Sequence, residues 1–319
     1  MKLILMSSMV VLLTACGGGN STTTDSEETT GTTGSTGSTD ITDAILVRKS
    51  ENCVDYVKRY TSSVKDIQRA VNFDGSLVIT ATAGKCTFAV NSIPNHDFND
   101  APAHFAHNVV ANTATYEVTQ TPTVASSITA LSLGTDNAVF LNGIKLDLLA
   151  AGCFGVGGGK IGCFQMATPF RYDPMSPLAN FGTDSHNAHT QPDGTYHYHG
   201  SPNALFYSDT AIESPVIGFA ADGFPIYGSY FDDNGTIRKA TSSYQLKTGT
   251  RTAIDGVDPG GSFDGIFVDD YEYSSGAGDL DECNGMTIDG VYGYYVTDSY
   301  PWVLGCFKGT PDSSFNKRR

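Results

Sequence analysis

Hydrophobic and polar residues alternate along much of this chain with a period of two, which is the period of a β-strand with one buried face. β-branched and aromatic residues are concentrated in these segments, which span 76–90 (interrupted at 83–85), 115–124, 127–133, 138–141, 216–220, 226–231 and 290–297. Asp-Gly and Asn-Gly pairs, which favour tight turns, recur between them. The pattern predicts a mainly β fold, an antiparallel sandwich or barrel-like domain with long glycine-rich loops and few short helices.

Helical periodicity is weak by comparison. Its best candidate is the segment 54–71, in which Val57, Val64 and Ile67 would lie on one face of a helix. No unit repeats at a fixed interval, which argues against a solenoid or a propeller.

The first residues are typical of an export signal. Lys2 supplies a positive charge, and the apolar run 3–13 is too short to span a bilayer stably. The run ends in Leu13-Thr14-Ala15-Cys16, which resembles the lipobox of bacterial lipoproteins. That resemblance implies diacylglyceryl transfer to the Cys16 thiol, cleavage before Cys16, and acylation of the new amino terminus with a fatty acid such as palmitate. The alternative is an ordinary secretory signal followed by an incidental cysteine.

Changes in composition divide the chain into four parts. Residues 1–15 form the predicted signal peptide, and residues 16–43, which are rich in Gly, Ser and Thr, are expected to form a disordered tether. Residues 44–75 are expected to pack as an N-terminal extension on the main domain, which spans 76–319.

The chain is acidic. Its formal charge is −15, and loss of Lys2 with the signal peptide leaves −16. Nucleic acid is therefore not an expected partner, because no basic patch offsets this charge. An acidic surface favours solubility and attracts cations.

Six cysteines remain besides Cys16, and an even number in an exported chain predicts disulfides. Six cysteines allow 15 connectivities. We predict sequential pairing, because each bond then closes a modest loop; the pairs are Cys53–Cys86, Cys153–Cys163 and Cys283–Cys306. None of the cysteines has the C-x-x-C spacing of a zinc or redox motif.

Four of the seven histidines fall within fourteen residues, at His186, His189, His197 and His199. Alternate side chains of a strand share a face, so His197 and His199 point one way and the neighbouring tyrosines point the other. The turn-forming residues 191–194 allow the chain to fold back and bring the two pairs together. Neutral imidazoles suit copper or zinc, whereas calcium and magnesium prefer oxygen. The pattern predicts one copper or zinc site formed by these histidines.

The motif Tyr196-His197-Tyr198-His199-Gly200 resembles the one that names the YHYH-domain family of exported bacterial proteins. Other blocks of the chain are similar to the same family, namely 93–97, 141–143, 217–228, 279–285, 300–302 and 305–309. The family is poorly characterised, so the resemblance implies a domain and no reaction. Relatives often carry a second Tyr-His-Tyr-His-like string, but the matching stretch 292–295 reads Tyr-Gly-Tyr-Tyr here and offers no histidine ligand.

Three further residues are candidates for supporting the site, namely Asp222, Glu282 and His96. Asp222 could bind the metal, orient a histidine or act as a general base, or it could simply form an Asp-Gly turn. Glu282 precedes a cysteine predicted to be in a disulfide, and His96 lies in a block that resembles the family. His104 and His107 form another pair, but their apolar neighbours favour packing.

Three functions fit these observations. The first is a membrane-anchored lipoprotein that uses copper or zinc as an enzyme of unknown reaction, and the second is a non-catalytic carrier or sensor of the metal. The third is a surface-binding or structural lipoprotein whose Tyr/His strands only pack. An enzyme would keep one coordination position open, a carrier would fill it, and the third would bind no metal.

We expect Cys16→Ser to abolish lipid attachment and to release the protein from membranes, because two or more acyl chains are what hold such a protein stably. Membrane fractionation and mass spectrometry of the mature amino terminus provide the measurement. Gly17, not aspartate, follows Cys16, which predicts the outer membrane as the destination. Normal processing and full membrane retention of Cys16→Ser would contradict the lipoprotein assignment.

Overall fold

Short β-strands make up most of the regular structure of the described residues, 37–208 and 212–317, in a computed structural model of the chain. The strands are β1 (Ser38–Asp40), β2 (Lys58–Asp66), β3 (Val71–Thr82), β4 (Lys85–Val90), β5 (Ala114–Thr119), β6 (Thr129–Ala130), β7 (Ala138–Phe140), β8 (Lys145–Leu146), β9 (Ala188–Thr190), β10 (Tyr196–Tyr198), β11 (Val216–Ala220), β12 (Pro225–Tyr227), β13 (Tyr230–Asp233), β14 (Thr236–Lys239), β15 (Tyr244–Leu246), β16 (Tyr271–Tyr273), β17 (Gly285–Ile288), β18 (Val291–Tyr295) and β19 (Cys306–Phe307). Helical structure in the same residues is limited to 3₁₀ turns at Cys53–Tyr56, Val268–Asp270 and Ser313–Phe315. The prediction of a mainly β fold is confirmed.

The first sheet contains five strands in the order β1-β2-β3-β4-β5. Strands β2 to β5 form an antiparallel meander, and β1 joins β2 in parallel. In β3, Leu77 and Ile79 are buried while the residues beside them are more exposed, which is the period of two seen in the sequence.

The second sheet contains eight strands in the order β17-β18-β12-β11-β7-β8-β10-β9. It is mixed, because β8 runs parallel to β10 and β12 runs parallel to β18. Every residue of β7 and of β11 is buried, which explains why these segments are continuously apolar. Three two-stranded sheets complete the structure, namely β13-β14, β15-β16 and β19-β6.

One hydrophobic core joins the two large sheets. Leu77 and Phe88 of the first sheet belong to the same buried cluster as Phe140 and Phe219 of the second. The rings of Phe88 and Phe219 lie 6.0 Å apart between centroids. The arrangement is that of a sandwich, and no sheet within the described residues closes into a barrel.

The predicted helix over 54–71 does not form. After the 3₁₀ turn the chain enters β2, and the segment ends at the first residue of β3. Ser62, Val64 and Asp66 are buried at every second position, whereas Ile67 is exposed. Nine consecutive residue pairs with β3 fix this conformation, so strand pairing overrides a weak helical spacing.

Residues 37–43, the last part of the predicted disordered tether over 16–43, are ordered. Ser38–Asp40 forms β1, and Ile41 is buried. Strand β1 pairs with β2 through main-chain groups, which every residue type carries. The polar side chains of β1 therefore gave no indication that this segment is ordered. The predicted signal peptide, Cys16 and the remainder of the tether lie outside the described residues. No helix among the described residues is long and apolar enough to cross a membrane.

All three predicted disulfides are present, and their pairing is sequential. Cys53–Cys86 ties the first 3₁₀ turn to β4, and Cys283–Cys306 ties the segment before β17 to β19. Cys153–Cys163 closes a loop between β8 and β9.

We expect removal of the Cys53–Cys86 bond, by changing both residues to alanine, to lower the free energy of unfolding by about 3–4 kcal/mol, because it closes a loop of 33 residues. Removal of Cys153–Cys163, whose loop spans 10 residues, should cost roughly 1 kcal/mol less and serves as the comparison. Urea unfolding of both variants measures the difference. A larger loss from the shorter loop would contradict the loop-closure explanation.

Candidate metal centre

A tight hairpin connects β9 to β10. Gly194 N–H donates to the Gln191 carbonyl at 2.9 Å, and Thr195 N–H donates to Asp193 Oδ1 at 2.9 Å. Pro192 presets its own φ for such a turn. Gly194 has φ +82°, and a Cβ there would lie 2.6 Å from the Asn108 carbonyl oxygen, so only glycine fits.

The hairpin register brings three histidines together. His197 pairs directly with His189 across the strands, and His199 N–H extends the ladder by donating to the Asn187 carbonyl at 2.9 Å. The Nε2 atoms of His197 and His199 are 3.0 Å apart, and those of His199 and His189 are 2.9 Å apart. His197 and His199 are buried and His189 is half-buried. Among the described residues, this is the group whose ligand atoms all lie within 4.8 Å of one another.

The two tyrosines of the motif lie on the opposite face and are fully buried. Tyr196 Oη donates to Asp184 Oδ2 at 2.8 Å. Tyr198 Oη lies 2.6 Å from His96 Nε2 and accepts a hydrogen bond from Asn142 Nδ2 at 3.0 Å. The two faces of the motif therefore have different roles. The tyrosines anchor the strand in the core, and the histidines converge on the opposite face.

His186 does not join the other three histidines. Its ring packs on His96, with 3.9 Å between centroids, and His96 itself contacts Tyr198 on the opposite face of β10. The cause is local, since Asp184 Oδ1 accepts the backbone N–H groups of both His186 and Ala188 and so holds a tight turn. The group of four predicted from the sequence therefore becomes a group of three.

The other predicted supporting residues lie elsewhere. Asp222 Oδ2 accepts hydrogen bonds from Tyr294 Oη at 2.6 Å and Gly309 N–H at 2.8 Å, and burial raises the pKa of this carboxyl group. Glu282 pairs with Lys308 at 3.2 Å. His96 supports the site indirectly, through Tyr198. His104 and His107 are exposed.

The environment keeps the three clustered histidines neutral. Burial lowers the pKa of His197 and of His199 well below the ordinary value, and neighbouring histidines lower both further. Burial also lowers the pKa of His189. Neutral imidazole is the form that binds metal, so the site is deprotonated in advance of any ion.

Backbone carbonyls select the tautomers. His189 Nδ1 lies 2.9 Å from the Phe181 carbonyl oxygen, and His197 Nδ1 lies 3.4 Å from that of Thr195. In a neutral ring, a proton on Nδ1 leaves the lone pair on Nε2. The tautomers inferred from these partners direct two lone pairs toward His199, which has at most one Nε2 proton to share between them. A cation at the centre would satisfy all three.

A buried charged network borders the histidines, and the sequence analysis did not identify it. Lys145 Nζ donates to Asp136 Oδ1 at 3.0 Å and to Gln191 Oε1 at 2.9 Å. Asp147 Oδ2 accepts from Gln191 Nε2 at 2.7 Å and from Lys317 Nζ at 2.6 Å. A sequence signal was present, because Lys145 and Asp147 are charged residues at alternate positions within an apolar run.

A sequence model of the family described as YHYH protein matches residues 115–309. The chain belongs to the YHYH protein family. The match begins in β5 and continues beyond β19, so it includes every strand of the second sheet of this YHYH protein. No curated protein and no solved structure shows a significant match to the chain.

Burial, with a further contribution from His186, lowers the pKa of His96 from 6.5 to about 3. Between these values the unfolded chain binds a proton that the folded chain does not, so stability due to His96 is complete above pH ~6.5 and is lost as the pH falls toward ~3. We expect His96→Gln to reduce the slope of unfolding free energy against pH in this window by up to ~1.4 kcal/mol per pH unit.

Chemical denaturation at a series of pH values measures this slope. His107→Gln, at an exposed histidine, is the matched control and should keep the wild-type slope. An unchanged slope in His96→Gln would show that His96 does not remain neutral in the fold.

Proposed function

We propose that this YHYH protein binds one transition-metal ion, copper or zinc, through the Nε2 atoms of His189, His197 and His199. The contacts of 3.0 and 2.9 Å between these nitrogens are close to the ~3.4 Å that separates ligand atoms around a tetrahedral ion with bonds of ~2.1 Å. A small expansion of the group would admit the ion. Three imidazoles favour copper or zinc over calcium or magnesium.

The observation that carries this proposal is the convergence of the three Nε2 atoms, toward which the tautomers inferred for His189 and His197 direct their lone pairs. Carbonyl oxygens on the outer nitrogens of His189 and His197 are the usual partners of metal-binding histidines, since they fix the tautomer and the ring orientation. Without a cation, the lone pairs of His189 and His197 would compete for the single proton that His199 Nε2 can carry, and at least one of them would have no donor. With a cation, the same geometry becomes favourable.

The scaffold also suits a metal site. All three residues lie on or beside two hydrogen-bonded strands, and buried tyrosines fix the opposite face of β10. Ligands on regular strands are held more accurately than ligands on loops, so little conformational entropy would be lost on binding.

Three protein ligands leave a fourth position around a tetrahedral ion. A metal-dependent enzyme would use that position for water or substrate, where zinc or copper polarises the bound group. A carrier would fill it with a further protein atom. The proposed metal site is therefore compatible with a metal-dependent enzyme of unknown reaction and with a metal carrier. The fourth ligand distinguishes the two, because it is water or substrate in an enzyme and a protein atom in a carrier.

We also propose that the protein acts in the cell envelope, anchored to the outer membrane through lipid on Cys16. The apolar run and the lipobox-like residues support this proposal. The three disulfides agree with it, because such bonds persist in oxidising compartments outside the cytoplasm.

A second candidate is a binding or structural lipoprotein in which the Tyr/His strand only packs. The burial of Tyr196 and Tyr198, each with a bonded hydroxyl, favours it for that half of the motif. It offers no reason for the inward lone pairs of the histidines. The two candidates differ in their response to metal.

We expect wild-type protein to hold about one zinc or copper ion per chain by elemental analysis, and His199→Asn to hold none, because His199 contacts both other histidines. Zinc at 100 times its Kd should raise the unfolding free energy of the wild type by ~2.7 kcal/mol and leave that of His199→Asn unchanged.

His186→Asn is the matched control, since His186 belongs to the same motif region but packs on His96 instead. It should retain the metal and the zinc-dependent stabilisation. Equal metal content in wild type and His199→Asn, with both proteins folded, would favour the packing role.

A further inference from the structure

A carboxylate lies on the same face of the second sheet as the three histidines. Strand β8 runs parallel to β10, with Lys145 opposite His197 and Leu146 opposite Tyr198. Asp147 N–H continues this ladder by donating to the Tyr198 carbonyl at 3.0 Å. The register therefore places Asp147 beside His199, and residues paired in this way point to the same face.

One oxygen of this carboxylate is bonded and the other is not. Oδ2 accepts from Gln191 at 2.7 Å and from Lys317 at 2.6 Å. Oδ1 is buried and has no hydrogen-bond partner, and the side chain is only 6% exposed. A buried carboxylate oxygen without a donor is costly, so its retention needs an explanation. Gln191 directly follows β9, so its hydrogen bond to Oδ2 places the carboxylate close to the hairpin that carries the histidines.

Asp147 is not a member of the group of direct ligands, since the atoms within 4.8 Å of one another belong to the three histidines. A water molecule or a hydroxyl group is the smallest species that would join its free oxygen to an ion held by them. Both are neutral hydrogen-bond donors, which is what an unpartnered carboxylate oxygen requires.

Resting on the metal site proposed above, we propose that Asp147 is a positioning residue for the fourth coordination position. Its Oδ1 accepts a hydrogen bond from a neutral ligand on the metal, either water or the hydroxyl group of a substrate. The fourth position is then open to small neutral donors and disfavours anions, because the carboxylate repels them. This assigns the site to the open, enzyme-like class and not to the saturated carrier class.

The charges around the site support a preference for neutral ligands. Asp136 and Asp147 are matched by Lys145 and Lys317, so the network has no net formal charge. Asp147 is the member of this network that the register places beside His199, so its loss would remove the negative charge next to the fourth position, and anions would then be repelled less.

The test uses full-length protein loaded with cobalt(II), whose visible spectrum reports the coordination of the ion, and azide as the anionic probe. We expect Asp147→Asn to bind cobalt(II) about 10–100-fold more weakly than wild type, as is usual for loss of an outer partner of a metal site. Its cobalt form should bind azide at least about tenfold more tightly, because the repelling charge is gone.

Asp136→Asn is the matched control, because it removes a buried carboxylate from the same lysine network. Both oxygens of Asp136 already have donors, Lys145 at 3.0 Å and Tyr116 at 3.2 Å, so cobalt and azide affinities should stay within about threefold of wild type. If Asp147→Asn does not fold, the double variant with Lys317→Gln removes both members of the ion pair, and the weaker cobalt binding should persist.

The outcomes separate the two proposals. Failure of wild-type protein to bind zinc or cobalt would overturn the metal site itself. Wild-type binding with unchanged cobalt and azide affinities in Asp147→Asn would overturn only the role of Asp147. Complete loss of cobalt from folded Asp147→Asn would make Asp147 a direct ligand and would likewise overturn its positioning role.

Discussion

The register of β10 between its two neighbours is the constraint on which the rest of the site depends. Pairing with β9 sets His197 against His189, and pairing with β8 sets Asp147 beside His199. A slip of one residue on either side would turn tyrosines toward the histidine cluster. The glycine turn fixes one register, while the buried hydroxyl groups of the tyrosines hold the strand in place. The convergence of the histidines on one face thus rests on hydrogen bonding on the other.

Local patterns in the sequence were sufficient for much of this structure. The period of two predicted the strands, the spacing of the cysteines predicted all three disulfides, and alternation placed His197 and His199 on one face. The predictions that failed involved competition with other contacts. The segment 54–71 has a helical spacing of apolar residues, but pairing with β3 makes it a strand. His186 lies close to His189 in sequence, but the turn held by Asp184 directs its side chain away from the cluster. Asp147 was missed because parallel pairing joins residues far apart in the chain, which no local pattern reports.

The alternation of tyrosine and histidine reflects two different physical demands on one short strand. On one face, a phenol fills volume and satisfies its hydroxyl group with Asp184 or with His96 and Asn142. On the other, imidazoles need burial to stay neutral and carbonyl partners to direct their lone pairs. Neither residue type could exchange places with the other. This division lets a core strand carry polar imidazoles on one face while the tyrosines of its other face pack in the core.

The separation of the site between local and distant segments has a kinetic consequence. The three histidines belong to one hairpin, and a hairpin closes within microseconds. Asp147 lies beside the histidines only after β8 has paired with β10 in parallel. The long connection between these two strands includes the loop closed by Cys153–Cys163. Pairing of strands far apart in the chain is slow. Local contacts form faster than distant ones, so we expect the imidazoles to meet before the carboxylate arrives, in a hairpin that alone is only marginally stable in water. In that order of events the docking of β8 would complete the site, and the Cys153–Cys163 bond, by closing part of the connection, would reduce the conformations that the chain must search.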